Sequence, residues 1–110
     1  NRNEIQNWVD CQSTFDWTKT LKMIATCEGT DWLKIGQMEP DTRAKVSGIL
    51  HCDCLSDPVI QASDNVYGSI GIVVTIFTLE YCCNTVEEYK GAIKRVVSLI
   101  KSGGYLVMGG

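Results

Sequence analysis

The sequence lacks the residues that mark several protein classes. It has one histidine, His51, and two prolines, and it contains neither a Cys-x-x-Cys pair nor a Gly-x-Gly-x-x-Gly run. A single imidazole gives poor support for a nucleophilic triad. The absence of Cys-x-x-Cys disfavours a thiol redox motif at a helix start. The absence of the glycine fingerprint disfavours a dinucleotide-dependent oxidoreductase.

Long apolar runs and concentrated basic charge are absent as well. The longest uncharged apolar run, residues 66–79, has fourteen residues, whereas a helix needs about 20 to cross a bilayer. Ten basic and thirteen acidic residues give a net charge of −3. We therefore expect neither a membrane nor a nucleic acid as partner. The clustered basic residues lie on one predicted helix, where we expect them to face solvent: Lys90, Lys94, Arg95 and Lys101.

The composition that is present fits one globular domain. The chain has 110 residues, of which 45% are hydrophobic, enough for a core. It has six cysteines, but Cys82 and Cys83 are adjacent, which makes ordinary disulfides awkward. Cys27 and Cys52 lie in apolar stretches. We expect reduced thiols that pack in the core of a monomeric cytoplasmic protein.

Helical spacing is clear in the first part of the chain. A short helix is predicted to begin near Asn1, and a second is predicted after the Phe-Asp-Trp triplet at residues 15–17. Asp16 or Thr18 is the expected cap of the second helix, and Gly29 is expected to end it. Pro40 suits the first turn of a brief helix that continues to about Lys45.

The second part of the chain predicts an α/β fold. Residues 46–52 and 105–108 suggest strands, and the β-branched run at residues 70–78 is typical of a strand covered on both faces of a parallel sheet. Residues 85–88 form a capping box that opens a helix. Ser102, Gly103 and Gly104 are expected to end it. Its predicted apolar stripe consists of Tyr89, Ile93, Val96 and Ile100.

Polar groups follow two of the predicted strands, where α/β proteins bind ligands. Asp53 follows the first and is either a turn residue or an acceptor for an adenine amine, with the next backbone N–H facing a ring nitrogen. Glu80 follows the second and is either a solvated loop acid or a carboxylate that holds a cationic amine. The thiols of Cys52 and Cys54 could share a metal, but zinc requires two more ligands. We therefore predict no metal site.

Six segments in order resemble one known family. They are NRNEIQNW at residues 1–8, FDW at 15–17, CEG at 27–29, ILHCDC at 49–54, FTLE at 77–80 and LIKSGGYLVM at 99–108. Together they resemble the S-adenosylmethionine-dependent N-methyltransferases that act on nicotinamide, phenylethanolamine and indolethylamine. The resemblance covers nearly the whole chain. The last segment is common to many methyltransferases, whereas the collinear set is more specific.

The resemblance implies a Rossmann-like class I methyltransferase fold and a role for six residues. In that family, the residue at Asn1 contacts the cofactor ribose, that at Asp53 holds the adenine amine, and the backbone of that at Cys54 meets the adenine ring. Ile76 matches a residue near the cofactor, although members carry a small or hydroxylated side chain there. Phe77 matches an aromatic lining the substrate pocket, and Glu80 matches the catalytic acid beside the substrate amine.

The resemblance further implies that residues 1–110 are the central part of a single methyltransferase domain. The glycine-rich cofactor turn of the family and its C-terminal strands have no counterpart in this sequence, so we expect the chain to be inactive alone. We expect S-adenosylmethionine as cofactor and a small amine or pyridine as substrate. The alternative is a non-catalytic module of the same fold that binds an adenine ligand.

Overall fold

The structure is a computed structural model that describes residues 2–61 and 64–110. The chain divides into two compact units, Asn1–Ile49 and Leu50–Gly110. Helices form the first unit, and the second contains two parallel strands with helices between them. The chain thus has mixed helix and strand content with a parallel sheet.

Three α-helices make up the first unit: α1 Arg2–Val9, α2 Thr18–Glu28 and α3 Ile35–Ala44. The predicted end of α2 is confirmed, whereas its N-cap is Trp17, which makes no side-chain capping hydrogen bond, rather than Asp16 or Thr18. The Asp16 carboxylate accepts hydrogen bonds from the Thr18 N–H (2.9 Å) and hydroxyl (2.6 Å) before the first turn. Gly29 ends the helix in a left-handed conformation (φ 70°), which glycine adopts without steric cost.

The start of α3 was predicted wrongly. A 3₁₀ helix, Trp32–Lys34, runs directly into α3, and Pro40 lies inside the helix rather than in its first turn. The Asp31 carboxylate starts this segment by accepting from the Leu33 N–H (3.0 Å). Proline normally breaks a helix interior because it has no N–H to donate, so the sequence pattern favoured a helix that began at Pro40.

The second unit contains β1 Ile70–Ile76, α4 Leu79–Cys82, α5 Val86–Val97 and β2 Ile100–Gly109. The strands pair in parallel, with Ile72 opposite Tyr105 and Ile76 opposite Gly109. The predicted strand–helix–strand order is therefore confirmed. The buried cluster at its centre consists of Leu79, Ala92 and Val96, and α5 supplies the last two.

The boundary between α5 and β2 differs from the prediction. The helix ends at Val97 and β2 begins at Ile100, so Ile100 and Lys101 are strand residues. Four residues of β2 lie between the partners of Ile70 and Ile72, which interrupts the register. Gly103 takes φ 79° there. A Cβ on Gly104 would lie 2.7 Å from the Gly71 carbonyl oxygen, so the glycines that were expected to end the helix instead permit this irregular pairing.

The predicted strand at residues 46–52 is wrong. Within the described part of the chain, this segment makes only an isolated antiparallel bridge, between Cys52 and Ile60. A strand is stabilised by hydrogen bonds to a neighbour, and β1 is paired with β2. The apolar pattern of the segment therefore did not by itself produce a strand.

The prediction that β1 is covered on both faces is also wrong for this chain. Val73 and Leu106 face the side where α5 packs and contact the buried cluster. The alternate positions on the other face are exposed: Ile72, Val74, Ile76, Tyr105 and Val107. Alternation along a strand places these side chains together on one apolar face.

The capping box at the start of α5 is confirmed and gives a stability prediction. Thr85 Oγ1 accepts from the Glu88 N–H (3.1 Å), and Glu88 Oε2 accepts from the Thr85 N–H (3.3 Å). Thr85→Ala should lower the free energy of unfolding by about 1 kcal/mol, the usual cost of losing an N-cap. Urea denaturation measures it. Lys90→Ala, at an exposed position of the same helix, is the control, and equal effects would contradict the assignment.

Candidate functional site

The carboxyl ends of the two strands lie side by side. Ile76, the last residue of β1, is opposite Gly109, and the Phe77 N–H donates to the Gly109 carbonyl oxygen (2.8 Å). The Ile76 side chain is half exposed beside this end. The residues that follow β1 therefore emerge at the edge of the sheet where α/β proteins bind ligands.

Phe77 turns the chain sharply after β1. It adopts φ 49°, an uncommon conformation for a bulky residue. The Thr78 hydroxyl supports the turn by donating to the Ile76 carbonyl oxygen (3.0 Å). The Phe77 ring is 60% exposed and meets the Tyr81 ring edge-on, with centroids 6.5 Å apart. An aromatic surface is thus available beside the strand end.

Glu80 lies in the first turn of α4 and is exposed. Its carboxylate lies so close to Gly110 that a side chain at that position would clash with it. Glu80 lines a cleft of about 360 Å³. The other lining residues are Tyr89, Met108, Gly109 and Gly110. A carboxylate beside a phenol in a cleft can accept hydrogen bonds from a protonated amine.

Asp53 lies in a tight turn in which both of its carboxylate oxygens are used. Oδ1 accepts from the Leu55 N–H (3.0 Å) and Oδ2 from the Ser56 hydroxyl (2.6 Å). The Ser56 hydroxyl and the Leu55 amide together lower the pKa of Asp53 below its ordinary value. A carboxylate offers about four lone-pair positions, so each oxygen retains a further acceptor position towards solvent. The turn role predicted for Asp53 is present, and it leaves a role in adenine binding open.

The side chain and the backbone of Cys54 make different contacts. Its side chain contacts the buried cluster, and burial, followed by the neighbouring Cys52 thiol, raises the pKa of Cys54 to about 12. Its carbonyl oxygen accepts from Arg95 Nε (2.9 Å). Among residues 2–61 and 64–110, no acceptor pairs with the Cys54 N–H. Asp53 and Cys54 therefore present an acceptor beside a backbone donor.

The structure brings most of the predicted site residues to one unit. Ile76, Phe77 and Glu80 lie at the carboxyl end of β1. Cys54 packs against the buried cluster, which includes Leu79 of α4. Asn1 lies outside the described residues.

Two further residues of this region were missed by sequence reasoning. Arg95 was expected to face solvent, but it is half-buried and binds the Cys54 carbonyl. Its charge gave no local signal for this contact. Tyr89 was predicted only as part of an apolar stripe, yet it also lines the Glu80 cleft.

The cysteine predictions are confirmed in part. All six thiols are free, and Cys54, Cys82 and Cys83 pack against the buried cluster, whereas Cys27 and Cys52 are exposed. The Cys82 and Cys83 sulfur atoms are 3.7 Å apart. Within the ranges 2–61 and 64–110, no group of three or more metal-ligating side chains is placed to hold an ion.

A cavity with a larger volume than the Glu80 cleft lies within the first unit. It has a volume of about 520 Å³ and is lined mainly by α1, α2 and the segment between them, including Trp8, Phe15 and Trp17. The Trp8 indole N–H donates to Glu39 Oε1 (2.8 Å). None of the predicted site residues lines this cavity. Among the helices formed by the described residues, none has the length and apolar character needed to span a membrane.

A parallel strand–helix–strand unit with an acidic side chain, Glu80, directly after its first strand is typical of α/β proteins, which bind ligands at that edge of the sheet. The model of the NNMT/PNMT/TEMT family matches residues 1–110, and the chain belongs to this family. The predicted resemblance is thereby confirmed.

Curated relatives agree with this family. The chain is 35% identical to nicotinamide N-methyltransferase of Caenorhabditis elegans, over 100% of the chain and 42% of that protein. It is 32% identical to indolethylamine N-methyltransferase of Oryctolagus cuniculus, over 97% of the chain and 40% of that protein. It is 26% identical to nicotinamide N-methyltransferase of Homo sapiens, over 98% of the chain and 40% of that protein. The chain thus spans 40–42% of the length of these relatives.

Proposed function

We propose that the polypeptide containing this chain transfers a methyl group from S-adenosylmethionine to the nitrogen of a small amine or pyridine. The observation that carries the proposal is an acceptor, the Asp53 carboxylate, next to a donor, the Cys54 N–H, for which the described residues provide no acceptor. An adenine edge offers the complementary amine and ring nitrogen. The family membership supports the same assignment.

The proposal gives each site residue a role. Asp53 holds the adenine amine, the Cys54 backbone faces the adenine ring, and Asn1 contacts the ribose. Ile76 lies near the cofactor at the end of β1. Residues 1–110 then form part of a single Rossmann-like methyltransferase domain, although here they divide into two compact units.

The chemistry requires little more than alignment. S-adenosylmethionine supplies an already activated methyl group on a sulfonium sulfur. Glu80 orients the substrate nitrogen by accepting a hydrogen bond from its N–H, and Phe77 and Tyr81 present aromatic surface to the substrate. These contacts hold the nucleophile in line with the methyl group. An alkylammonium substrate first loses one proton to solvent, so that the nitrogen lone pair can attack the methyl carbon as the bond between sulfur and methyl breaks. The proposed mechanism assigns no step to a metal.

A second function is favoured by one observation. Ile76 is the last residue of β1 and lies opposite Gly109. At the position of Ile76, family members carry a small or hydroxylated residue. A Cβ on Gly109 would lie 2.8 Å from Ile76 Cδ1, so the isoleucine fills the space at this strand end. A chain with this change could bind an adenine ligand without catalysing transfer.

One experiment separates the two functions. The polypeptide encoded by the full gene is titrated calorimetrically with S-adenosylhomocysteine, and methyl transfer from a labelled donor is then measured with a panel of alkylamines and pyridines. Binding with transfer is the expected result. Binding without transfer to any panel member, with Ile76→Thr restoring it, would indicate the non-catalytic module. No binding would contradict both functions.

The proposal includes a monomeric, cytoplasmic enzyme. The free state of all six cysteines supports the cytoplasmic location, because thiols stay reduced in the cytosol.

A further inference from the structure

Within the described residues, the turn that contains Asp53 is attached to the rest of its unit by the Cys54 side chain, which packs against the buried cluster, and by a hydrogen bond from one side chain, Arg95. Its other backbone contacts are local: the Asp53 N–H donates to the Val59 carbonyl oxygen (2.9 Å) and the Ser56 N–H to the Asp53 carbonyl oxygen (3.1 Å). Arg95 of α5 donates through Nε to the Cys54 carbonyl oxygen (2.9 Å), across 41 residues of sequence. This hydrogen bond attaches the turn to a helix that carries two of the three buried cluster residues.

The Arg95 contact acts on the peptide group that orients Asp53. The carbonyl of Cys54 and the N–H of Leu55 belong to the same peptide unit, which is planar. Arg95 binds the carbonyl, and the N–H on the opposite side donates to Asp53 Oδ1 (3.0 Å). Rotating this plane would lengthen both hydrogen bonds together. The orientation of the carboxylate therefore depends on Arg95 without any direct contact.

Arg95 is suited to this role by its own surroundings. It is half-buried, whereas its neighbour Lys94 is exposed. Its guanidinium also lies against the position of Gly91, where an added Cβ would be 3.2 Å from one terminal nitrogen. The planar guanidinium presents Nε in a fixed direction, which a lysine ammonium does not. The positive charge near the turn also favours the ionised carboxylate.

We infer that Arg95 is a positioning residue for the proposed adenine contacts, the Asp53 carboxylate and the Cys54 N–H. It sets the plane of the peptide between Cys54 and Leu55 and, through the Leu55 N–H, the direction of the Asp53 carboxylate. This inference rests on the proposed function for its ligand, adenine. Its structural part, the dependence of the Leu55 hydrogen bond on Arg95, stands independently of that function.

The affinity test is a double-mutant cycle in the polypeptide encoded by the full gene. Arg95→Gln should weaken S-adenosylhomocysteine binding about tenfold, the scale of a lost hydrogen bond to a charged group. In an Asp53→Ala background the same change should cost less than twofold, because the effect passes through the Asp53 side chain. Arg95→Lys should resemble Arg95→Gln, and Lys94→Gln should leave affinity unchanged. Equal losses in both backgrounds would overturn the inference.

A second measurement needs no ligand. Amide hydrogen exchange at Leu55 should accelerate in Arg95→Gln, while exchange at Val96 in the helix should stay unchanged. If the parent protein binds no S-adenosylhomocysteine, the proposed function fails, and exchange at Leu55 still decides the positioning role. Unchanged exchange at Leu55, or faster exchange throughout α5, would overturn it.

Discussion

Asp53→Ala is expected to weaken the binding of S-adenosylhomocysteine by about tenfold to a hundredfold, equivalent to about 1–3 kcal/mol. The substitution removes the acceptor for the adenine amine and leaves a polar ligand group unpaired. It also removes the two hydrogen bonds that the carboxylate accepts within its turn. Calorimetric titration of the polypeptide encoded by the full gene measures the loss.

Ser56→Ala separates the two consequences. It deletes the 2.6 Å hydrogen bond to Oδ2 but keeps the carboxylate. If Asp53 acts on adenine, Ser56→Ala should cost only a small part of the loss caused by Asp53→Ala. Glu87→Ala, which removes an exposed acid from α5, controls for net charge. Equal losses for Ser56→Ala and Asp53→Ala would show that Asp53 serves only the turn.

The ionisation of Asp53 determines how its contribution to cofactor affinity should depend on pH. The Ser56 hydroxyl and the Leu55 amide hold the pKa of Asp53 below its ordinary value. The carboxylate is therefore ionised throughout neutral pH, and its protonation cannot weaken cofactor binding between about pH 6 and 8. Any loss from this group should begin only as the pH falls below the usual range for aspartate.

Local signals predicted the elements that depend on local contacts. The Thr85–Glu88 capping box and the left-handed Gly29 are formed by residues within a few positions of each other, so their patterns could be read directly. The β-branched run at β1 was likewise sufficient to predict a strand, and its partner β2 followed through the helix between them. Of these elements, β1 positions the Glu80 end of the site.

Two of the wrong predictions involve contacts between distant residues. Residues 46–52 have a strand pattern, but whether they form a strand depends on a neighbour that the pattern does not specify. The sequence pattern predicts that Arg95 faces solvent on its helix, and only the folded chain shows that it binds the Cys54 carbonyl. The residues of the site were predicted from a resemblance, whereas the contacts that orient Asp53 required the structure.

Glu80→Gln is expected to reduce kcat/KM for a protonated alkylamine by about tenfold to a hundredfold, the scale of losing a charge-assisted hydrogen bond. The affinity for S-adenosylhomocysteine should change by less than about twofold, because the Asp53 turn supplies the adenine contacts. Glu80 is exposed at the mouth of its cleft, so solvent screening favours the lower part of this range. Steady-state kinetics and calorimetry on the same preparation give both values.

A substrate panel tests whether the carboxylate recognises the charge of the amine. The ring nitrogen of a neutral pyridine has no N–H to donate a hydrogen bond to Glu80. Glu80→Gln should therefore lower the turnover of a pyridine much less than the turnover of an alkylamine. Tyr89→Phe, which removes the phenol hydroxyl from the same cleft, should reduce turnover by a smaller factor. Glu87→Gln, on the exposed side of α5, is the matched control. If Glu80→Gln lowered cofactor affinity and amine turnover by the same factor, the carboxylate would act on the cofactor or the fold, and its assignment to the substrate would be wrong.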